Sequence, residues 1–159
     1  MFPIIRPVRR QRTEWMAWLT RWGAMTLFGK EHTDRYQATD GAEGYNWRNG
    51  TTILLLTTTG RRSGKTYIAP LIYRDYGGDY LLVASKGGAP EAPDWYLNLE
   101  AKPEVGVQIK GEVFTARART ATADEKPAMW QHMVEVWPDY DKYQASTDRQ
   151  IPIVVLERI

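Results

Sequence analysis

The chain has 159 residues, 43% hydrophobic and 25% charged, the balance of one soluble globular domain able to bury a sizeable core. A net charge of +2 gives no field favouring nucleic acid, and the absence of cysteine excludes disulfides, thiolate nucleophiles and thiolate metal ligands. Two distant histidines, His32 and His132, lie outside any metal-ligand spacing, whereas 12% aromatic content with seven tryptophans points to a stacking pocket, an interfacial surface or both.

The first segment, 1–30, opens with Arg6, Arg9, Arg10 and Arg12. Trp15, Trp18, Leu19, Trp22 and Met25 then recur on one face of a helix, with Thr13 as a plausible N-cap. A basic end followed by a tryptophan face suits an anionic membrane surface, and it equally suits packing on the domain core. No apolar run is long enough to span a bilayer and no secretory signal is visible, so the expected location is the cytoplasm, with peripheral contact at the membrane's cytoplasmic face. The polar stretch 31–50 reads as a loop ending in the turn signal Asn49-Gly50.

From Thr51 the pattern is that of strands. Thr51–Thr58 is apolar on both faces. A basic turn leads to a strand over Thr66–Asp75, where Pro70 predicts an edge or a bulge. Gly77-Gly78 closes a hairpin with Asp79–Ala84. After the loop Ser85-Lys86-Gly87-Gly88, a short helix starts near Pro93 with Asp94 in its first turn. Val105, Val107 and Ile109 alternate along the next strand, Lys110-Gly111 turns, and Glu112–Arg119 is its partner. Thr122 or Asp124 caps a helix running to about Val136, Asp139–Ala145 forms a short helix, and Pro152–Glu157 is the last strand. Six strands joined mostly by tight turns favour a closed antiparallel barrel over 51–159 rather than a parallel doubly wound sheet.

Three places could carry chemistry. The run Gly60-Arg61-Arg62-Ser63-Gly64-Lys65-Thr66 ends like a triphosphate-binding P-loop, but the first glycine of that motif would fall at Thr59, and a strand follows instead of a helix. What remains is three cations, two glycines and hydroxyls in a strand-to-strand turn: an anion site or a solvated turn. Ser85-Lys86-Gly87-Gly88 ends the third strand of a meander, which places it on the same rim as the basic turn. Tyr140 and Tyr143, three residues apart on a short helix, could donate to a developing oxyanion or cap the core. The chain lacks a nucleophile elbow and a histidine beside a serine.

Several segments, in order, resemble one family. They are LLLTTTGRRSGK (Leu54–Lys65), ASKGG (Ala84–Gly88) followed by Pro93 and WYLNL (Trp95–Leu99), PEVGVQIKGE (Pro103–Glu112) and YDKYQASTDRQIPIVVLE (Tyr140–Glu157). The chain is similar there to the deazaflavin-dependent nitroreductase-like proteins of actinobacteria, six-stranded split β-barrel oxidoreductases with an N-terminal helix and peripheral helices that use coenzyme F420. The resemblance implies that Arg61, Arg62, Ser63, Gly64 and Lys65 hold the coenzyme's phosphate and anionic tail. Tyr67, Ile68 and Ala69 would line the groove, with Ala84, Ser85 and Lys86 at the deazaflavin and Trp95 and Asn98 also on the coenzyme side. Ser85, Tyr140 and Tyr143 match positions beside the substrate. Asp94, Trp137 and Ile72 depart from the family pattern, the first replacing an apolar residue and the second a tyrosine common in nitro-reducing members.

The expected activity is hydride transfer from reduced F420 to a quinone such as menaquinone. Within the class, the alternatives are activated C=C bonds in enones and lactones such as coumarins and aflatoxins, or nitro groups. A cofactor-binding membrane-surface protein is the non-enzymatic alternative, and flavin mononucleotide the alternative cofactor. The expected partners are a small electrophilic acceptor and no nucleic acid.

Overall fold

A computed structural model of the protein describes residues 27–159. The Trp15–Met25 face expected in the N-terminal helix lies outside the described residues. The chain then forms α1 (Gly29–Ala38), β1 (Thr52–Thr59), β2 (Thr66–Tyr76), β3 (Asp79–Val83), α2 (Asp94–Ala101), β4 (Glu104–Ile109), β5 (Glu112–Thr120), α3 (Lys126–Val134), α4 (Asp139–Ala145) and β6 (Ile153–Arg158). The six strands close into an antiparallel barrel in the order β1-β2-β3-β6-β5-β4, which is the architecture expected from the turn spacing.

Strand alternation explains why β1, β3 and β6 are apolar on both faces. Leu54, Leu56, Leu82, Val154 and Leu156 point into the barrel, where they meet Val105, Val107, Phe114 and Ala116. Their neighbours point outward. Ile53 and Leu55 pack on Tyr36 of α1, while Leu81, Val83, Ile153 and Val155 pack on Met129 and Met133 of α3 and Tyr140 of α4. β5, covered on one face only, alternates Phe114, Ala116 and Ala118 inward with exposed Val113, Thr115 and Arg117.

Helix α1 corrects the loop expected over 31–50. The face it buries consists of His32, Thr33 and Tyr36, so no aliphatic periodicity marks it in the sequence. Ion pairs one turn apart, Lys30–Asp34 at 2.6 Å and Glu31–Arg35 at 3.3 Å, decorate its outer face. The turn leading into α3 is closed reciprocally: the Thr122 N–H donates to Glu125 Oε2 at 2.9 Å and the Glu125 N–H to Thr122 Oγ1 at 3.3 Å. Arg119 donates to both oxygens of Glu125, at 2.8 and 3.0 Å. These bonds hold the Glu125 carboxyl down at about 2, first through Arg119 and then through the Thr122 N–H.

β2 has 11 residues, yet it bonds β3 only through Arg74, Asp75 and Tyr76. Among the described residues, its first part, Thr66 to Tyr73, pairs with β1 alone. Pro70 lies in this half, where a missing N–H interrupts no second ladder, in keeping with the edge position read from the sequence.

Tyr36 ties α1 to the barrel. It is fully buried, donates to the Ile53 carbonyl at 3.0 Å and accepts from the Lys110 N–H at 2.7 Å. Burial outweighs the Lys110 contact and pushes its phenol up to about 12, so it stays a neutral donor. Tyr36→Phe leaves both backbone groups unpartnered and should cost about 1–3 kcal/mol in urea denaturation. An unchanged midpoint and slope would show that this hydroxyl does not anchor α1.

Candidate active site

The turn between β1 and β2 is shaped by its own hydrogen bonds. The Gly60 N–H donates to the Lys65 carbonyl at 2.7 Å and the Gly64 N–H to the Gly60 carbonyl at 2.9 Å. A Cβ on Gly60 would lie 2.6 Å from Ser63 Oγ and 2.7 Å from the Tyr67 ring, so a larger residue there would push both side chains aside. Ser63 Oγ accepts from the Lys65 N–H at 3.2 Å and sits 3.1 Å from the Tyr67 hydroxyl.

Asn98 of α2 aims the first arginine. Its Oδ1 accepts from the Arg61 backbone N–H at 3.2 Å and from Arg61 Nη1 at 2.9 Å, while its Nδ2 donates to Thr58 Oγ1 at 3.3 Å. Asn98 is buried, and the pairing engages both its Oδ1 and its Nδ2. Arg61 Nη2 lies 3.4 Å from Asp94 Oδ1, whose side chain is 85% exposed. A pair that exposed is weak, and a stronger anion can take its place. Arg61, Arg62, Ser63, Tyr67, Ile68, Ala69, Trp95 and Asn98 line a cavity of about 420 Å³ here, together with Thr58, Gly60 and Asp94.

A second cavity of about 400 Å³ adjoins it, with Trp95 lining both. The two follow the open half of β2: Tyr67, Ile68 and Ala69 face the first, and Pro70, Leu71 and Ile72 the second. The second is largely apolar. α1 contributes Gly29 and His32, with Phe28 just before it; Trp47 and Ile53 come from the β1 side, Ser85, Lys86 and Gly87 from the loop after β3, and Trp137, Tyr140 and Tyr143 from around α4. Trp47 and Trp137 meet with ring centroids 5.6 Å apart.

The Ser85 loop is held from behind. Lys86, Gly87 and Gly88 all have positive φ, forming a left-handed turn. Arg149 spans it with one guanidinium: Nε donates to the Ala89 carbonyl at 2.8 Å, Nη1 to Ala84 at 3.2 Å and Nη2 to Ser85 at 2.7 Å. Gly88 presses on α4, since a Cβ there would strike Ser146 Oγ and lie 2.8 Å from the Tyr143 carbonyl. The loop and the tyrosine helix are therefore one packed unit. Tyr140 is buried, and its ring meets Trp130 at 6.2 Å and Tyr143 at 6.1 Å. Burial first, and then the Tyr143 phenol, raise the Tyr140 hydroxyl above the ordinary tyrosine range, which keeps it protonated. The Tyr143 hydroxyl accepts from Trp137 Nε1 at 3.3 Å.

Most of the residues singled out from sequence thus gather along one groove. Gly64, Lys65 and Ala84 line neither cavity. Gly64 and Lys65 close the turn through backbone bonds, and Ala84 is fully buried with its carbonyl bound to Arg149. His32, Trp47 and Arg149 were not foreseen. A histidine and a tryptophan in irregular or polar stretches carry no periodic signal, and Arg149 acts on carbonyls, which every residue has.

Comparison with known proteins points to one family. A family model described as F420H(2)-dependent quinone reductase matches residues 28–158. An F420H(2)-dependent quinone reductase of Mycobacterium tuberculosis is 35% identical over 144 residues, covering 89% of this chain and 96% of the relative. Among solved structures, one described as an F420-H2 dependent reductase is 43% identical, with a TM-score of 0.61 over 66% of this chain and 93% of its own. Another, described as a domain-swapped dimer, is 40% identical with a TM-score of 0.65 over 80% and 96%.

Arg149→Ala removes the donor shared by three carbonyls. It should destabilise the protein by about 1–3 kcal/mol and speed amide exchange at Gly88 and Ala89, which close the loop behind Ser85. Exchange at the wild-type rate would show that Arg149 does not hold the loop.

Proposed function

The chain belongs to the F420H(2)-dependent quinone reductase family, and from that premise we propose that it passes a hydride from reduced coenzyme F420 to a quinone lying in the second cavity. The contiguity of the two cavities at Trp95 carries the reading. The residues present fit the coenzyme: a cationic turn with a hydroxyl at one end suits a phosphodiester and carboxylate tail, and the aromatic wall beyond it suits a flat ring. When bound, the deazaflavin supplies the hydride.

The chain's own groups here bind and orient. Arg61, Arg62 and Ser63 take the anionic end, with Arg61 already aimed by Asn98. Tyr67, Ile68 and Ala69 support the linker along the open edge, and Trp95 with Ser85 and Lys86 marks the junction with the acceptor. Tyr140, kept neutral by burial, donates a hydrogen bond to the acceptor's oxygen and steadies the negative charge developing there, assisted by Tyr143. Apolar walls from Trp47, Leu71, Ile72 and Trp137 exclude water around it.

Contact with a membrane surface is part of the same proposal. Phe28, at the rim of the acceptor cavity, is 65% exposed beside Trp47 and Arg48, an arrangement suited to an acceptor arriving from lipid. No helix among the described residues is long and apolar enough to cross a membrane.

Two substitutions test the assignment with reduced F420 and a soluble quinone. Arg61→Ala with Arg62→Ala should weaken coenzyme binding by roughly 10- to 100-fold, with a smaller loss at high salt. Unchanged affinity would remove the turn from the site. Tyr140→Phe should lower turnover about 100-fold and leave coenzyme affinity near normal, whereas full turnover would remove Tyr140 from the chemistry.

A further inference from the structure

We infer that His32 is a catalytic residue of the acceptor cavity, the group that gives the quinone its proton. This rests on the quinone-reductase reading above. His32 is 2% exposed, yet it lines the second cavity, as do Ser85 and Tyr140. Its Nε2 lies 2.7 Å from the Gly44 carbonyl, and a carbonyl only accepts, so Nε2 carries a hydrogen. Gly44, at φ +100, allows that approach, since a Cβ there would lie 2.8 Å from the imidazole Cδ2.

The ring is thereby fixed, and Nδ1 is the nitrogen left for the acceptor. Nδ1 has no hydrogen-bond partner among the described residues. The one fully buried side-chain nitrogen or oxygen left unpartnered among them is Thr33 Oγ1, so Nδ1 is not sealed off, and His32 lines the cavity.

The cavity offers few competitors for this task. From the loop after β3 comes Lys86, which lies 3.8 Å from Glu91, and from α4 come the phenols of Tyr140 and Tyr143. β2 presents only Pro70, Leu71 and Ile72. On α1 itself, Glu31 and Arg35 pair with each other at the surface, and the Tyr36 hydroxyl is engaged with backbone.

The step balances. A quinone becomes a quinol by gaining a hydride and a proton. The hydride comes from the reduced deazaflavin. The proton leaves Nδ1 of the His32 imidazolium: the N–H bond breaks with its electron pair staying on nitrogen, and an O–H bond forms on the quinol. The neutral imidazole retakes a proton from water.

His32→Gln keeps an amide donor for the Gly44 carbonyl and cannot deliver a proton. With reduced F420 it should slow reduction of a soluble benzoquinone by about 10-fold or more. Reduction of an N-alkylphenazinium cation, which takes a hydride and needs no proton, should stay within about twofold of wild type. Equal losses with both acceptors, or none with either, would overturn the proposal. A wild-type chain that reduces the phenazinium but no quinone would instead refute the quinone reading, and the proposal with it.

A second measurement needs neither variant nor coenzyme. The chain has two histidines, so ¹⁵N NMR resolves both rings. Titration with a soluble hydroquinone should shift Nδ1 of His32 and leave His132 unmoved. An unmoved His32 would contradict the proposal.

Discussion

The site depends on a mismatch in strand length. β2 runs for 11 residues, and β3 meets only its last three. Where β3 has ended, β2 keeps β1 on one side and presents an open edge on the other. An exposed edge is ordinarily a hazard that proteins cover or blunt. Here α2, the Ser85 loop and α4 stand off from it and leave a groove, with Trp95 at its middle. A barrel closed along the whole of β2 would have no such groove.

The two ends of the groove differ in chemistry because different neighbours cover them. At one end the β1–β2 turn projects Arg61 and Arg62, and buried Asn98 fixes the direction of Arg61 before any ligand arrives. Preorganisation of that kind lowers the entropy lost on binding an anion. At the other end α1 and α4 bring rings and aliphatic chains, with a few polar atoms set among them: the hydroxyls of Ser85, Tyr140 and Tyr143 and the imidazole of His32. In that drier setting each hydrogen bond to a developing negative charge is stronger than it would be in water. A cationic end and a low-polarity end are thus separated along one strand.

Much of this was legible in the chain. Apolar runs on both faces of β1 mark a strand covered inside and out, and the tight turns fix an antiparallel order. The meander rule puts the basic turn and Ser85 on one rim, and both line the groove. Charge alone, however, does not give direction. Lys65 counts as a cation in the sequence, but, just before β2, it does not line the cavity that Arg61 and Arg62 line. α1 was hidden because its buried face is built from a histidine, a threonine and a tyrosine. Arg149 was hidden for a different reason: its partners are three carbonyl oxygens, whose positions exist only after the loop has folded. Features that act through side-chain periodicity are readable, and those that act through backbone atoms are not.

The central claim is that one continuous groove holds the coenzyme at the cationic turn and the acceptor beside Tyr140. A crystal structure of the protein with bound coenzyme F420 tests it most directly. The account predicts the phosphate and carboxylates on Arg61, Arg62 and Ser63, and the deazaflavin ring against Trp95, opening on the cavity of Ser85 and Tyr140. A ring seated inside the barrel, or an anionic end placed away from the turn, would contradict it.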